Sequence, residues 1–156
     1  MGSNNRIKEH GPVRTMDDVK RVLDAADDCM VKSILIAISK DPPDPEESWH
    51  QKNLFLIGIS ADRNLDFSKL ATMLGVPRKS LQMATQMQVE EITGFRVGSI
   101  PPFGLPKNIP VILDARIADK TTLWCGTGKS TESIRLSLDE LKLLSTPTFG
   151  DLSRPK

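Results

Sequence analysis

The sequence predicts a mixed α/β domain in which strands and helices are interspersed without a regular βαβ alternation. Three observations carry this. Two nearly continuous apolar runs, residues 33–38 and 54–59, read as strands covered on both faces. Four segments open on a helix-capping residue and continue with apolar residues at helical spacing. Three further short strand candidates crowd into residues 110–136, a run of strands that argues against a doubly wound sheet.

The elements follow in order. Residues 1–14 are polar and are expected to be loose at first. Thr15 and Asp18 resemble a capping box that opens a helix to about Ala26, with Val19, Val22, Leu23 and Ala26 on one face. The first strand spans residues 31–39 and the second residues 53–60. The acidic, proline-rich stretch 41–48 between them is expected to be an exposed loop. Asp66 caps a short helix with Phe67, Leu70, Met73 and Leu74 inward, and Gly75 and Pro77 stop it. Thr85 and Gln88 form a second capping box, and that helix ends at Gly94. Strands at 110–114, 121–125 and 133–136 come next. Ser137 and Glu140 cap a last helix with Leu138, Leu141 and Leu144 as its apolar face. The chain from Thr146 onward is expected to be loose. The domain is therefore assigned to residues 8–145, with flexible ends at 1–7 and 146–156.

The chain has 156 residues, enough for one domain with a real core, and 21 basic against 20 acidic residues. A net charge of +1 argues against a surface that coats nucleic acid non-specifically, and leaves room for a few local phosphate contacts. Cys29 and Cys125 form no CxxC pair, and no Cys/His cluster has zinc spacing, so no metal is expected and both thiols should be reduced in a cytoplasmic protein. No apolar run is long enough to span a membrane, and the start is not a signal peptide. Met1-Gly2-Ser3 resembles an expression remnant, which makes the chain a candidate domain of something longer.

The most distinctive segment is residues 94–106, where glycines and prolines surround a few apolar residues. Proline fixes φ and glycine opens backbone angles that other residues avoid. The segment reads as a rigid loop with free N–H groups and little side chain to block a ligand; a plain connector is the alternative. Gly126-Thr127-Gly128-Lys129-Ser130-Thr131 resembles the end of a phosphate-binding P-loop. The full pattern requires glycine where Leu123 stands, and no later strand remains to supply a magnesium aspartate. A glycine turn between two strands fits better. Lys32, at the start of the first strand, is either a solvated end residue or a fixed charge for one phosphate. His10 and His50 both lie in polar stretches, so a Cys–His pair is not expected. Adjacent acids such as Glu90 and Glu91 fit a solvated helix face. Any chemistry must then rest on positioning and backbone donors.

Taken in order, Thr15-Met16-Asp17-Asp18, Val31-Lys32-Ser33-Ile34-Leu35, Leu65-Asp66-Phe67-Ser68-Lys69-Leu70-Ala71, Glu91-Ile92-Thr93-Gly94-Phe95, Val97-Gly98-Ser99-Ile100-Pro101-Pro102-Phe103-Gly104 and Val111-Ile112-Leu113-Asp114 resemble the YbaK/prolyl-tRNA synthetase insertion-domain family of trans-editing aminoacyl-tRNA deacylases. The resemblance covers residues 8–145. It implies a single YbaK-like domain with a curved, partly barrel-like mixed sheet flanked by helices. It also implies hydrolysis of the ester joining a wrong amino acid to the 3′ acceptor end of tRNA, without cofactor or metal. A partner synthetase, or the rest of a longer chain, would add affinity for tRNA.

The same resemblance assigns phosphate binding to Lys32 and the carbonyl or oxyanion site to Gly98 and Ser99. It assigns substrate binding to Ile100, Pro102, Phe103, Gly104, Gly126, Gly128, Lys129 and Ser133. An aminoacyl ester is already activated, so a held carbonyl and a placed water could suffice, helped by the ribose hydroxyl of the tRNA. Some relatives carry a tyrosine before Glu9-His10, a second glycine at Ser99, an acid near Ser133 or a histidine near Lys129-Ser130. These departures bear on which amino acid is edited. They also keep a second reading in view, a non-catalytic tRNA-binding or synthetase-associated adaptor of the same fold.

Overall fold

The computed structural model describes residues 7–9, 29–39, 53–96, 100–129 and 131–156. In chain order the elements are β1 (Ile7–Glu9), β2 (Val31–Ile38), β3 (Asn53–Ser60), β4 (Arg63–Leu65), α1 (Phe67–Leu74), β5 (Leu81–Met83), α2 (Gln86–Thr93), β6 (Val111–Asp114), β7 (Thr122–Gly126), β8 (Glu132–Ser137), α3 (Leu138–Ser145), β9 (Thr148–Gly150) and β10 (Ser153–Pro155). The helix expected at 15–26 and the proline-rich loop at 41–48 lie outside the described residues.

The main sheet has five strands in the order β5-β2-β3-β6-β9. β2 runs antiparallel to β3 along its whole length, from Val31 opposite Ser60 to Ile38 opposite Asn53. β6 then joins β3 in parallel, and β9 joins β6 in parallel. This mixture is what the absence of βαβ alternation predicts. A three-stranded sheet, β1-β8-β7, meets the edge of β2 through a bridge between Met30 and Trp124. β4 and β10 form a two-stranded ribbon. The sheets adjoin without closing into a barrel among the described residues.

The continuous apolar runs are explained by cover on both faces. Val31, Leu35 and Ala37 of β2 join a cluster with Leu56, Leu113, Ile100 and Cys125. Ile36 joins a second cluster with Ile57, Ile59, Leu70 and Leu152, and Ile34 packs against it. Each such large aliphatic side chain, fully buried, adds about 2 kcal/mol.

Helix boundaries follow the caps. Asp66 accepts from the Ser68 and Lys69 N–H groups, and Gly75 ends α1 with φ 69°. Both capping boxes form, at Thr85–Gln88 and Ser137–Glu140; each cap contributes about 1 kcal/mol. Two side chains expected inward are exposed. Met73 is 37% exposed and lies over Gly150, where no side chain intervenes. Leu144 is 51% exposed, because α3 turns only its Leu141 row fully into the core.

The chain expected to be loose after Thr146 is ordered. β9 pairs with β6 and β10 with β4, and Leu152 and Ser153 are fully buried. Strands of three residues carry too little pattern to be read from sequence; their partners lie far away in the chain.

Candidate functional site

Lys32 is the second residue of β2. Strand alternation places it on the face of Ile34 and Ile36, opposite Val31 and Leu35. Its stem is half-buried, and its Nζ donates to the Arg63 carbonyl oxygen at 3.2 Å. Burial first, and the neighbouring Lys156 charge second, push its pKa below the usual lysine value. Among the described residues no carboxylate pairs with it. An ammonium has three donors, and among the described residues only one is engaged. The result is a partly desolvated cation short of partners, the complement of a phosphate oxygen.

The acceptor for Lys32 is itself held. The Asp114 carboxylate is fully buried at the end of β6. Its Oδ1 accepts from the Leu152 N–H at 2.9 Å and from Arg116 Nη1 at 3.1 Å, and its Oδ2 from Ser153 Oγ at 2.8 Å. Ser153 Oγ in turn accepts from Arg63 Nε at 2.7 Å, and the Ser153 carbonyl from Arg63 Nη2 at 3.3 Å. Sequence reasoning treated Asp114 only as the end of a strand. The signal it passed over is an acid closing the apolar run Val-Ile-Leu, all four residues of which are buried.

β7 and β8 form an antiparallel hairpin in which Gly126 lies opposite Ser133. Two residues beyond the Met30–Trp124 bridge, along each of those parallel chains, are Lys32 and Gly126. Alternation puts Lys32, Gly126 and the buried Ser133 on one face. The Gly126–Thr131 motif is thus a hairpin connection rather than a strand-to-helix loop, which removes the nucleotide-binding reading. Within the turn, the Lys129 N–H is taken up by Thr127 Oγ1 at 3.3 Å, and Thr127 Oγ1 donates to Glu132 Oε1 at 3.3 Å. The Lys129 side chain is exposed.

Gly128, at φ +97°, comes so close to the Phe95 ring that a Cβ there would sit 2.5 Å from it. This contact ties the hairpin to the start of the glycine-proline segment. Gly94 closes α2 at φ 77°, and the Phe95 N–H donates to Thr93 Oγ1 at 3.1 Å. Gly98 and Ser99 lie outside the described residues. Ile100, Pro101 and Pro102 are buried, and Ile100 and Phe103 pack into the cluster on the face of β2 opposite Lys32. Phe103 and Gly104 line a cavity of about 420 Å³ with Leu105, Val111, Leu144 and Thr146; neither Lys32, Gly126 nor Ser133 reaches it.

The site residues read from sequence therefore fall into two groups. Lys32, Gly126 and Ser133 share a sheet face. Ile100 and Phe103 pack beneath the other, and Gly128 touches Phe95 between them. Cys125 is fully buried and its thiol is pushed up to about 12 by desolvation, so it holds its proton and cannot act as a nucleophile. Among the described residues no three His, Cys, Asp or Glu side chains group as metal ligands, and no helix is long and apolar enough to cross a membrane.

Comparison with known proteins bears on this arrangement. The proline–tRNA ligase of Aquifex aeolicus is 31% identical over 108 residues, which is 69% of this chain and 17% of the ligase. That of Halalkalibacterium halodurans is 27% identical over 94% of this chain and 23% of its own length. This chain thus spans about a fifth of the ligases it matches. The multifunctional Ser/Thr-tRNA deacylase ProXp-y of Escherichia coli is 27% identical over 62% of this chain and 57% of its own length. Among solved structures, a hypothetical protein superposes with a TM-score of 0.79 at 22% identity, over 96% of this chain and 91% of that one. A candidate trans-editing enzyme for prolyl tRNA synthetase superposes at 0.76 and 25% identity, over 95% and 85%. The aminoacyl-tRNA editing domain model matches residues 10–144. The chain belongs to the aminoacyl-tRNA editing domain family, as the resemblance implied.

Proposed function

We propose that this domain hydrolyses the ester between a wrong amino acid and the 3′ end of tRNA, with Lys32 gripping a phosphate of the terminal nucleotides. The observation that carries the assignment of Lys32 is its half-buried ammonium, bonded once and facing no acid among the described residues. The backbone N–H groups of Gly98 and Ser99 receive the ester carbonyl and stabilise the oxyanion as water adds. Gly126 and Ser133, on the Lys32 face, leave room for the terminal nucleotide. Ile100, Pro102, Phe103 and Gly104 stiffen the loop that carries Gly98 and Ser99. Gly128 and Lys129 shape its far wall. The curved, partly barrel-like sheet implied by the resemblance belongs to this proposal, as the surface around which the acceptor end is held.

The attacking water is activated by position and by the tRNA's own ribose hydroxyl; Cys125 plays no part. Relatives named as Ser/Thr-tRNA deacylase and as proline–tRNA ligases support a small or polar amino acid as the one removed. They also support a cytoplasmic partner, either a synthetase or the remainder of a longer chain, that adds affinity for the body of the tRNA. The test is turnover on a panel of tRNAs mischarged with Ala, Ser, Thr and Cys. Hydrolysis of at least one is expected. Binding of all without hydrolysis would replace this reading with the adaptor.

A further inference from the structure

We infer that the C-terminal strand β10 is a positioning element for Lys32, set by Asp114 through Ser153 and Arg63. Residues 153–156 lie beyond the span 10–144 that the editing-domain family model matches. Yet the ammonium of Lys32 bonds to the ribbon that this strand completes. The links are continuous: Asp114 Oδ2 to Ser153 Oγ at 2.8 Å, Ser153 Oγ to Arg63 Nε at 2.7 Å, and the Arg63 carbonyl to Lys32 Nζ at 3.2 Å. The first bond is shielded from water, since Asp114 and Ser153 are both 0% exposed, and the second is partly buried.

Ribbon geometry explains why that carbonyl is free. The Asp66 N–H donates to the Leu152 carbonyl at 2.8 Å. In an antiparallel pair, bonded and non-bonded residues alternate. Counting from Asp66, Asn64 faces Arg154 in a bonded pair, and Arg63, opposite Pro155, turns its carbonyl out of the ribbon toward β2. Pro155 is tolerated there because no ladder N–H is needed at that position. Of the charged groups near the ammonium, Arg63 comes from β4 and Lys156 follows β10. The facing residues of β3 and β7, Ile59 and Gly126, carry no charge. With no acid among the described residues to hold it, Lys32 depends for its direction on one carbonyl, and that carbonyl depends on β10.

The consequence for deacylation rests on the role proposed above for Lys32; the positioning itself does not. The decisive experiment follows the Lys32 ε-carbon by NMR in the full chain with ¹³C-labelled lysine, the signal being assigned by its loss in Lys32→Arg. Ser153→Ala removes the middle link. Its expected result is a shifted Lys32 titration midpoint, downward where only the acceptor is lost and upward where β10 also carries Lys156 away and lets water reach the stem. KM for the mischarged tRNA should rise about 5-fold, the equivalent of one hydrogen bond, with kcat little changed. An unchanged midpoint in a folded Ser153→Ala protein overturns the inference. If that protein does not fold, Arg63→Lys breaks the same link and keeps the carbonyl, and its midpoint decides in the same way. Lys32→Ala separates the two ideas: full deacylation by that variant removes Lys32 from substrate binding, while the NMR midpoint still decides the positioning.

Discussion

Asp114 and Lys32 are both charged side chains on core strands, and the fold completes them differently. Asp114 is sealed from solvent, and both its oxygens are used by the Leu152 N–H, the Ser153 hydroxyl and Arg116. Lys32 is half-buried and, among the described residues, uses one donor of three. A charge whose partners are all internal holds the chain in place. A charge that the fold desolvates but leaves short of partners is available to something from outside. The pair separates a structural ion from a binding ion by counting bonds, with no reference to which residue type is the more reactive.

That contrast can be broken most forcefully at Asp114. Asp114→Ala leaves a buried N–H and hydroxyl without acceptors and should cost ~3 kcal/mol in urea unfolding. A loss under ~1 kcal/mol would show that the carboxylate is not an anchor. Lys32→Ala should do the reverse, changing stability by ~0.5 kcal/mol or less while deacylation falls about 100-fold. Because its folded pKa is lowered, its charge is lost as pH rises through that lowered value, and deacylation should decline there. Stability should rise with pH between the lowered value and the ordinary one, since the unfolded chain then binds more protons. A rate profile in Lys32→Arg that still declines at the same pH would assign the decline to another group. Gly128→Ala should cost about 1–2 kcal/mol, from its positive φ and from the ring it displaces, and Phe95→Ala should relieve part of that in the double variant. The smallest effect belongs to Asp151, whose exposed carboxyl is held below the usual range by hydrogen bonds from Arg116 and then Lys69. Its contribution is present above the unfolded pKa and fades as pH falls through the folded one. The wild type should therefore lose slightly more Tm than Asp151→Asn on acidification.

The fold was readable where local signals are strong. Asp66, Thr85 and Ser137 cap the helices as their sequences imply, and the uninterrupted apolar run of β3 is covered on both faces. It was unreadable where pairing is non-local. β4, β5, β9 and β10 have three residues each, too few for a period, and β10 finds its partner about ninety positions back. The site divides along the same line. Lys32 stands out because a lysine is unusual within an apolar run. Which face it takes depends on register, and register depends on β3. Ser153 and Arg63 carry no local sign of their purpose, since a hydrogen bond between residues 90 apart leaves no spacing to find. Leu144 differs for a similar reason: helical spacing gives a face its direction, while packing decides that only the Leu141 row of that face is fully covered.

The approach of Gly128 to the Phe95 ring has a mechanical consequence. The hairpin tip and the end of α2 interlock like a peg in a socket, the ring filling the space that any other residue at 128 would occupy. Displacement of the tip must drag the ring, and with it the Gly94 turn that closes α2. The hairpin tip and the end of α2 therefore move as one piece, and a change of shape in either is felt at the other.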